Sequence, residues 1–344
     1  MGYDQTKMNT QLLKFTKKGI YCEPGDFYID PWRPVGKAVI THAHSDHARF
    51  GHKQYLAHHH SVPVLHQRLG KVQVQGINYN ETIQLNGVKI SLHPAGHIIG
   101  SSQIRVEYQG EVWCVSGDYK TDPDPVAQDF EPVKCHTFIT ECTFGLPIYK
   151  WPTEEEVVAQ IEGWWRENQL KGKVSLLSAY ALGKAQRVLS LLNQSIGKIY
   201  CHGAVDTVNQ IHQQMGFLQG NFPYLNPSTS KDEIKGALVI APPSAIGSTW
   251  VNKLRPFSVG IASGWMTLRG SKRRQNVDRG FVLSDHADWP GLNSAIKATG
   301  ASRVICTHGY TDTFSEWLSQ SGYEAVSEKT LFEGENLDAK SAEE

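Results

Sequence analysis

Residues 39–52 read VITHAHSDHARFGH, and within them His42, His44, Asp46 and His47 form the pattern H-x-H-x-D-H. This cluster constrains the chain more than any other feature, because a fold has little structural reason to crowd imidazoles unless they hold something. His42 and His44 alternate along an extended segment, so both can face one ion. The turn that follows presents Asp46 and His47 to a second ion beside it. Zinc and manganese both accept imidazole nitrogen and carboxylate oxygen. Two metals about 3.5–4 Å apart need a shared ligand, and a carboxylate such as Asp118 bridges well.

The other histidines and acids of interest close short apolar runs. KAVITH ends at His42, VKISLHPAGH at His97, EVWCVSGD at Asp118, TFITE at Glu141, GFVLSDH at His286 and SRVICTH at His308. Each run is β-branched or aromatic and is closed by Gly, Pro or polar residues, so each predicts a strand. The middle of the chain differs. EEEVVAQIEGWWRENQ (154–169) has helical periodicity with acids in its first turn, and KVSLLSAYALGKAQRVLSLLN (173–193) predicts a strand followed by a helix. GKIYCHGA, ALVIAPPSA and FSVGIASGWM predict further buried strands. The alternation suggests a small, mostly parallel α/β unit inside a larger domain. We therefore expect one domain split in sequence, residues 1–146 plus 276–344, with an inserted domain at 147–275.

Composition excludes several classes. Hydrophobic residues make up 40% of the 344 and charged residues 20%, as in a folded protein. Formal net charge is zero, so any polyanion must be held by a local patch. The sequence predicts no membrane span and no secretory signal at its start. The six cysteines are scattered with no C-x-x-C pair, which predicts reduced, buried thiols and a cytoplasmic protein. The run His58-His59-His60 is read as surface, since consecutive side chains on a strand point to alternating faces.

In that order, His42, His44, Asp46, His47, His97, Asp118 and His286 resemble the ligand set of the metallo-β-lactamase superfamily. The resemblance implies an α/β fold, a four-layer αβ/βα sandwich with a dinuclear site at one edge of its sheets. It puts His42, His44 and His97 on one metal and Asp46, His47 and His286 on the other, with Asp118 bridging. Asp30, in YIDPW, matches the acid that orients a ligand histidine. Beyond these motifs, TECTFG, with Glu141, and YALGKAQRV, LSDHAD and THGY resemble the β-CASP nucleases, which implies that the insertion is a smaller, β-CASP-like α/β domain. GDFYIDPWRPV, LHPAGHIIGS, TECTFGLPIYKWP, APPSA, ASGWMTLRGSKRR and GFVLSDHADWPGL resemble the bacterial ligase-associated DNA damage response exonucleases.

The resemblance implies a metal-dependent phosphodiesterase: a DNA exonuclease working preferably on single strands in DNA repair, with two divalent ions (Zn²⁺, Mn²⁺ or both). It further implies association with a DNA ligase and a helicase. Asp46 would also orient the nucleophile, and Asp118 and Glu141 would serve the chemistry. RNA-cleaving relatives carry a further histidine paired with the Glu141 position. None stands in TLRGSKRRQNVDRG, which leaves His308 as the candidate acid. Arg269, Lys272, Arg273 and Arg274 in that stretch are candidate phosphate contacts. Lys184, opening a helix after Gly183, is another. An RNA-processing β-CASP ribonuclease and a small-ester or thioester metallohydrolase are the alternatives.

Overall fold

The structure is a computed structural model that describes residues 11–268 and 277–332. Three sheets organise it. The first joins β1 (Lys14–Thr16), β2 (Gly19–Cys22), β3 (Phe27–Ile29), β4 (Lys37–Val39), β5 (Gln54–His58) and β6 (Val74–Ile77) in sequence order. Next come β7 (Thr82–Leu85), β8 (Val88–Pro94), β9 (Ser102–Tyr108), β10 (Glu111–Val115) and β11 (Thr137–Cys142). The middle of the chain supplies β12 (Val174–Ser178), β13 (Ile199–Cys201), β14 (Leu238–Ala241), β15 (Phe257–Ala262) and β16 (Arg279–Phe281), followed by β17 (Arg303–Gly309) and β18 (Glu324–Ser327). The second sheet runs β18-β17-β11-β10-β9-β8-β7, and the third runs β13-β14-β12-β15-β16 with every pairing parallel.

The first two sheets share one core. Ile20, Phe27, Ile29, Val39 and Leu56 pack with Ile90, Leu92, Ile104, Val106, Val115, Ile139 and Ile305. Alternation along each strand sends the other residues outward. On the second sheet these include Cys114, Phe138, Val304 and Cys306, which lie under the helices Trp289–Thr299 and Thr311–Gln320. On the first they include Ala38, Tyr55 and Ala57, which lie under α1 (Val62–Leu69).

The third sheet is covered on both faces, as its continuous apolar strands require. α2 (Glu154–Leu170) begins at a Thr153–Glu156 capping box, and its Trp164 and Trp165 are buried in a core shared with α3 (Lys184–Leu191) and α4 (Gly203–Gln214). Core packing is thus the role of these two tryptophans. β16 lies beyond residue 275, where the sequence reading ends the insertion. It nevertheless pairs with β15, Gly260 opposite Arg279, so the third sheet extends to Phe281.

Parallel strands end on one side, and the chemistry collects there. β4, β10, β11 and β17 deliver His42, Asp118, Glu141 and His308 from their carboxyl ends, and β16 leads to His286. Two glycines let the segments close up. Gly117 has φ +58°, and a Cβ there would lie 2.6 Å from Thr41. Gly183 has φ +94°, and a Cβ there would meet Ile98 at 2.3 Å.

Candidate metal centre

Four imidazoles are each tied by one ring nitrogen, and each tie fixes where the free lone pair points. Asp30 accepts from the Thr41 amide (2.8 Å), the Thr41 hydroxyl (2.5 Å) and His47 Nδ1 (2.8 Å). Since the hydroxyl donates to Asp30, it accepts from His42 Nδ1 at 3.0 Å. His97 Nδ1 donates to the Asp285 carbonyl (2.7 Å), and His44 Nε2 donates to the Leu182 carbonyl (3.2 Å). The nitrogens left over are His42 Nε2, His47 Nε2, His97 Nε2 and His44 Nδ1.

These atoms converge on Asp118. His42 Nε2 lies 3.5 Å and His97 Nε2 3.8 Å from Asp118 Oδ2, and His44 Nδ1 is 3.0 Å from His97 Nε2. Around Asp118 Oδ1 sit His308 Nε2 at 3.0 Å and His47 Nε2 at 3.4 Å, with Asp46 Oδ2 3.5 Å from His47 Nε2. Candidate ligand atoms of His42, His44, His97 and Asp118 lie within 4.8 Å of one another, as do those of His47, Asp118 and His308. His42 Nε2, His47 Nε2, His308 Nε2 and Asp118 Oδ1 are buried without a hydrogen-bond partner. Such orphaned atoms are costly in a folded protein unless something meets them. Inward lone pairs and a shared carboxylate fit a pair of divalent cations.

The electrostatics of the metal-free cluster divide the donor set, with three rings held neutral and His47 held towards its charged form. Burial, reinforced by His47, holds His42 well below the ordinary histidine range. Burial also lowers His44, and burial with His286 and His44 brings His97 down to about 3. These three rings are therefore neutral, as ligation requires. Burial opposes charge on His47 as well, but Asp118 and Asp46 outweigh it and raise it well above its usual value. Asp118 is likewise held well below the carboxylate range by His47 and His308 against its burial.

His286 and His308 stand differently from the resemblance-based assignment, and Asp118, Glu141 and His286 form a further group of candidate ligands. His286, placed on the second metal by resemblance, directs Nδ1 to both Glu141 oxygens at 2.9 Å. Glu141 therefore has a histidine partner, contrary to the expectation that it lacks one. It is also fixed by the Tyr119 amide (2.9 Å) and the Thr143 hydroxyl (2.5 Å). Burial opposes charge on His286, but Glu141 raises it to about 9. His308, the candidate acid, stands instead with His47 and Asp118. β17, β11 and β10 are consecutive in the second sheet, so His308, Glu141 and Asp118 gather at neighbouring strand ends, with His308 Nε2 3.0 Å from Asp118 Oδ1 and 4.0 Å from Glu141 Oε2.

Lys184 is corrected as well. It is 0% exposed, with Nζ 3.8 Å from Asp285 Oδ2, so no phosphate reaches it. Arg269, Lys272, Arg273 and Arg274 lie outside the described residues. His58 ends β5, buried and stacked on Tyr79, and a 3₁₀ turn rather than a strand follows. That turn brings His58, His59 and His60 together, but His58 Nδ1 accepts from the His60 amide and so caps the turn.

Sequence reasoning missed Thr41, Thr143, Leu182, Arg187 and Asp285. Thr41 adjoins the motif and Asp285 adjoins His286, so adjacency was the available signal. Nothing local marks Leu182 or Arg187.

Buried imidazoles and carboxylates gathered at strand ends of an α/β protein define a class able to hold metal for hydrolysis. No protein-family model matches the chain. A probable DNA ligase of Opitutus terrae is 29% identical over 317 residues, covering 91% of this chain. Endoribonuclease YSH1 of Yarrowia lipolytica is 31% identical over 124 residues, and cleavage and polyadenylation specificity factor subunit 3 of Dictyostelium discoideum is 26% identical over 124; each covers 36% of this chain. The chain spans 30% of the first relative's length, 15% of the second's and 16% of the third's. In fold it is similar to the crystal structure of a protein of unknown function from Enterococcus faecalis V583. That match has TM-score 0.59 and 11% identity over 84% of this chain and 78% of the other. The chain is a relative of the metallo-β-lactamase/β-CASP nucleases.

Proposed function

We propose that the chain is a metal-dependent phosphodiesterase acting as an exonuclease on DNA, preferably single-stranded, in DNA repair. Its frame is then an αβ/βα four-layer sandwich, made by residues 1–146 and the C-terminal segment. A β-CASP-like domain is inserted, with the return crossing drawn after Phe281. The observation that carries the reading is the convergence of fixed lone pairs on Asp118 beside the His286–Glu141 pair.

In this reading His42, His44, His97 and Asp118 would hold one cation, and Asp46, His47, His308 and Asp118 would hold the other. Zn²⁺ or Mn²⁺ there would make hydroxide available near neutral pH and neutralise charge on a phosphoryl group. The chain's residues do the rest. Asp30 and Thr41 keep His42 and His47 aimed inward. Glu141 holds a proton on His286, whose Nε2 is free to pass one to the departing oxygen.

DNA is favoured because the relative covering 91% of this chain carries a DNA ligase's name. That name also supports association with a ligase, whereas a helicase partner rests on resemblance alone. Six buried free cysteines support a cytoplasmic setting, and no helix among the described residues is long and apolar enough to cross a membrane. One observation favours RNA instead: His286 gives Glu141 a histidine partner, as the resemblance gives the RNA-cleaving relatives.

A time course on single-stranded DNA and RNA, each labelled at one end, decides between them. It is run with Mn²⁺ or Zn²⁺ beside an Asp46→Ala/His47→Ala chain. Terminal-nucleotide release from DNA, lost in the double variant, is the expected result. Preferential RNA cutting moves the protein to RNA processing. No cleavage by a metal-loaded chain overturns the nuclease reading and returns the small-ester alternative.

A further inference from the structure

His44 and His97 take their orientation from peptide carbonyls supplied by distant segments, and one buried ionic cluster pins both segments. Leu182, whose carbonyl holds His44, immediately precedes Gly183 and α3. The first residue of α3, Lys184, reaches Asp285 at 3.8 Å. Arg187, one turn further, donates to the Ser284 carbonyl and lies 3.8 Å from Asp285 Oδ1. Its Nε is 3.0 Å from Glu154 Oε1 and 3.2 Å from Asp124 Oδ2, and Lys120 lies 3.8 Å from Asp124. Asp285, held from two sides, offers its carbonyl to His97 at 2.7 Å.

Lys184 is 0% and Arg187 4% exposed, so neither can touch a phosphate. A buried ionic cluster is also a poor source of stability, since desolvation offsets most of the attraction and apolar packing often does as well. What such a cluster does supply is position.

We propose that Lys184 and Arg187 are positioning residues of the metal centre. By fixing Ser284 and Asp285 they set the carbonyl that aims His97. By anchoring the start of α3 they set the carbonyl that aims His44. The inserted segment is thereby part of the cage. This rests on the metal-centre reading.

The test uses Co²⁺, whose visible absorption reports ligand number and geometry. It is titrated into the metal-free full chain and into Lys184→Met, Arg187→Met and Leu189→Ala. Leu189 lies in α3 within an apolar core and serves as the control for general loosening. The two charge variants should bind Co²⁺ roughly tenfold to a hundredfold more weakly, with an altered band. Leu189→Ala should lower the melting temperature and leave band and affinity in place. Lys184→Met/Asp285→Asn, which removes both charges together, should regain part of the affinity.

Wild-type band and affinity in both charge variants would overturn the proposal. So would losses that merely follow the melting temperature along the Leu189→Ala trend. A wild-type chain that takes up no Co²⁺ would overturn the metal-centre reading itself, and this inference with it.

Discussion

The four tied imidazoles fall into two pairs supported in different ways. His42, through Thr41, and His47 answer to one side chain, Asp30, which directly follows β3 of the first sheet and precedes them by less than 20 residues. His44 and His97 answer to the backbone of Leu182 and Asp285, far along the chain. The first pair is local and rests on a specific residue type. The second is remote, and any residue could supply its carbonyl. One half of the site is therefore written in side chains and the other in the fold.

Asp118 joins the halves, so its loss should erase the distinction. Asp118→Ala should release both ions and lower turnover on the order of a thousandfold or more, checked by metal analysis and the end-labelled assay. His286 comes next, because it belongs to neither pair. His286→Asn should reduce turnover roughly 10²- to 10⁴-fold while both ions stay bound; loss of one ion would make His286 a ligand after all. The local pair is broken alone by Asp30→Ala, expected to weaken metal binding about 10- to 100-fold by calorimetry. Asp30→Asn should weaken it comparably if its amide N–H faces His47 Nδ1, forcing the proton onto the nitrogen that must ligate.

His212 gives the smallest effect and sharpens the comparison from outside. Its Nδ1 also donates to a carbonyl, Val208 at 3.0 Å, and its Nε2 is also buried without a partner. It belongs to no cluster of candidate ligands among the described residues. Burial brings it down to about 4, so acid protonates the unfolded chain first. Its contribution to stability is complete above about pH 6.5 and fades as pH falls towards 4. Denaturant midpoints should fall by the equivalent of about 2 kcal/mol between pH 7 and pH 5 on its account. His212→Gln should flatten that slope. An orphaned nitrogen thus marks a metal site only where several converge.

The same contrast explains what could be read beforehand. The strands ending at His42, Asp118, Glu141 and His308 were legible because apolar runs closed by polar residues carry their own period. Asp30 was reached through resemblance, from YIDPW, and its bonds to Thr41 and His47 use its carboxylate. The different places of His286 and His308 were not legible, since both are histidines at strand ends. Only the folded arrangement shows His308 Nε2 3.0 Å from Asp118 and His286 Nδ1 2.9 Å from Glu141. Lys184 misled for a related reason: a helix start announces an anion site only if it faces solvent, and this one faces Asp285.

His308 also stands late in the chain, about 260 residues after His47. A ribosome adding roughly 5–20 residues per second exposes the H-x-H-x-D-H segment for about 13–50 seconds before that last imidazole exists. Throughout that interval the nascent chain offers imidazoles with no cage around them, and an open site ranks metals by intrinsic affinity, copper above zinc above manganese. Selection by geometry becomes possible only when synthesis is nearly complete. On the metal-centre reading, a cage able to select by geometry would therefore be complete only after β17 has been made.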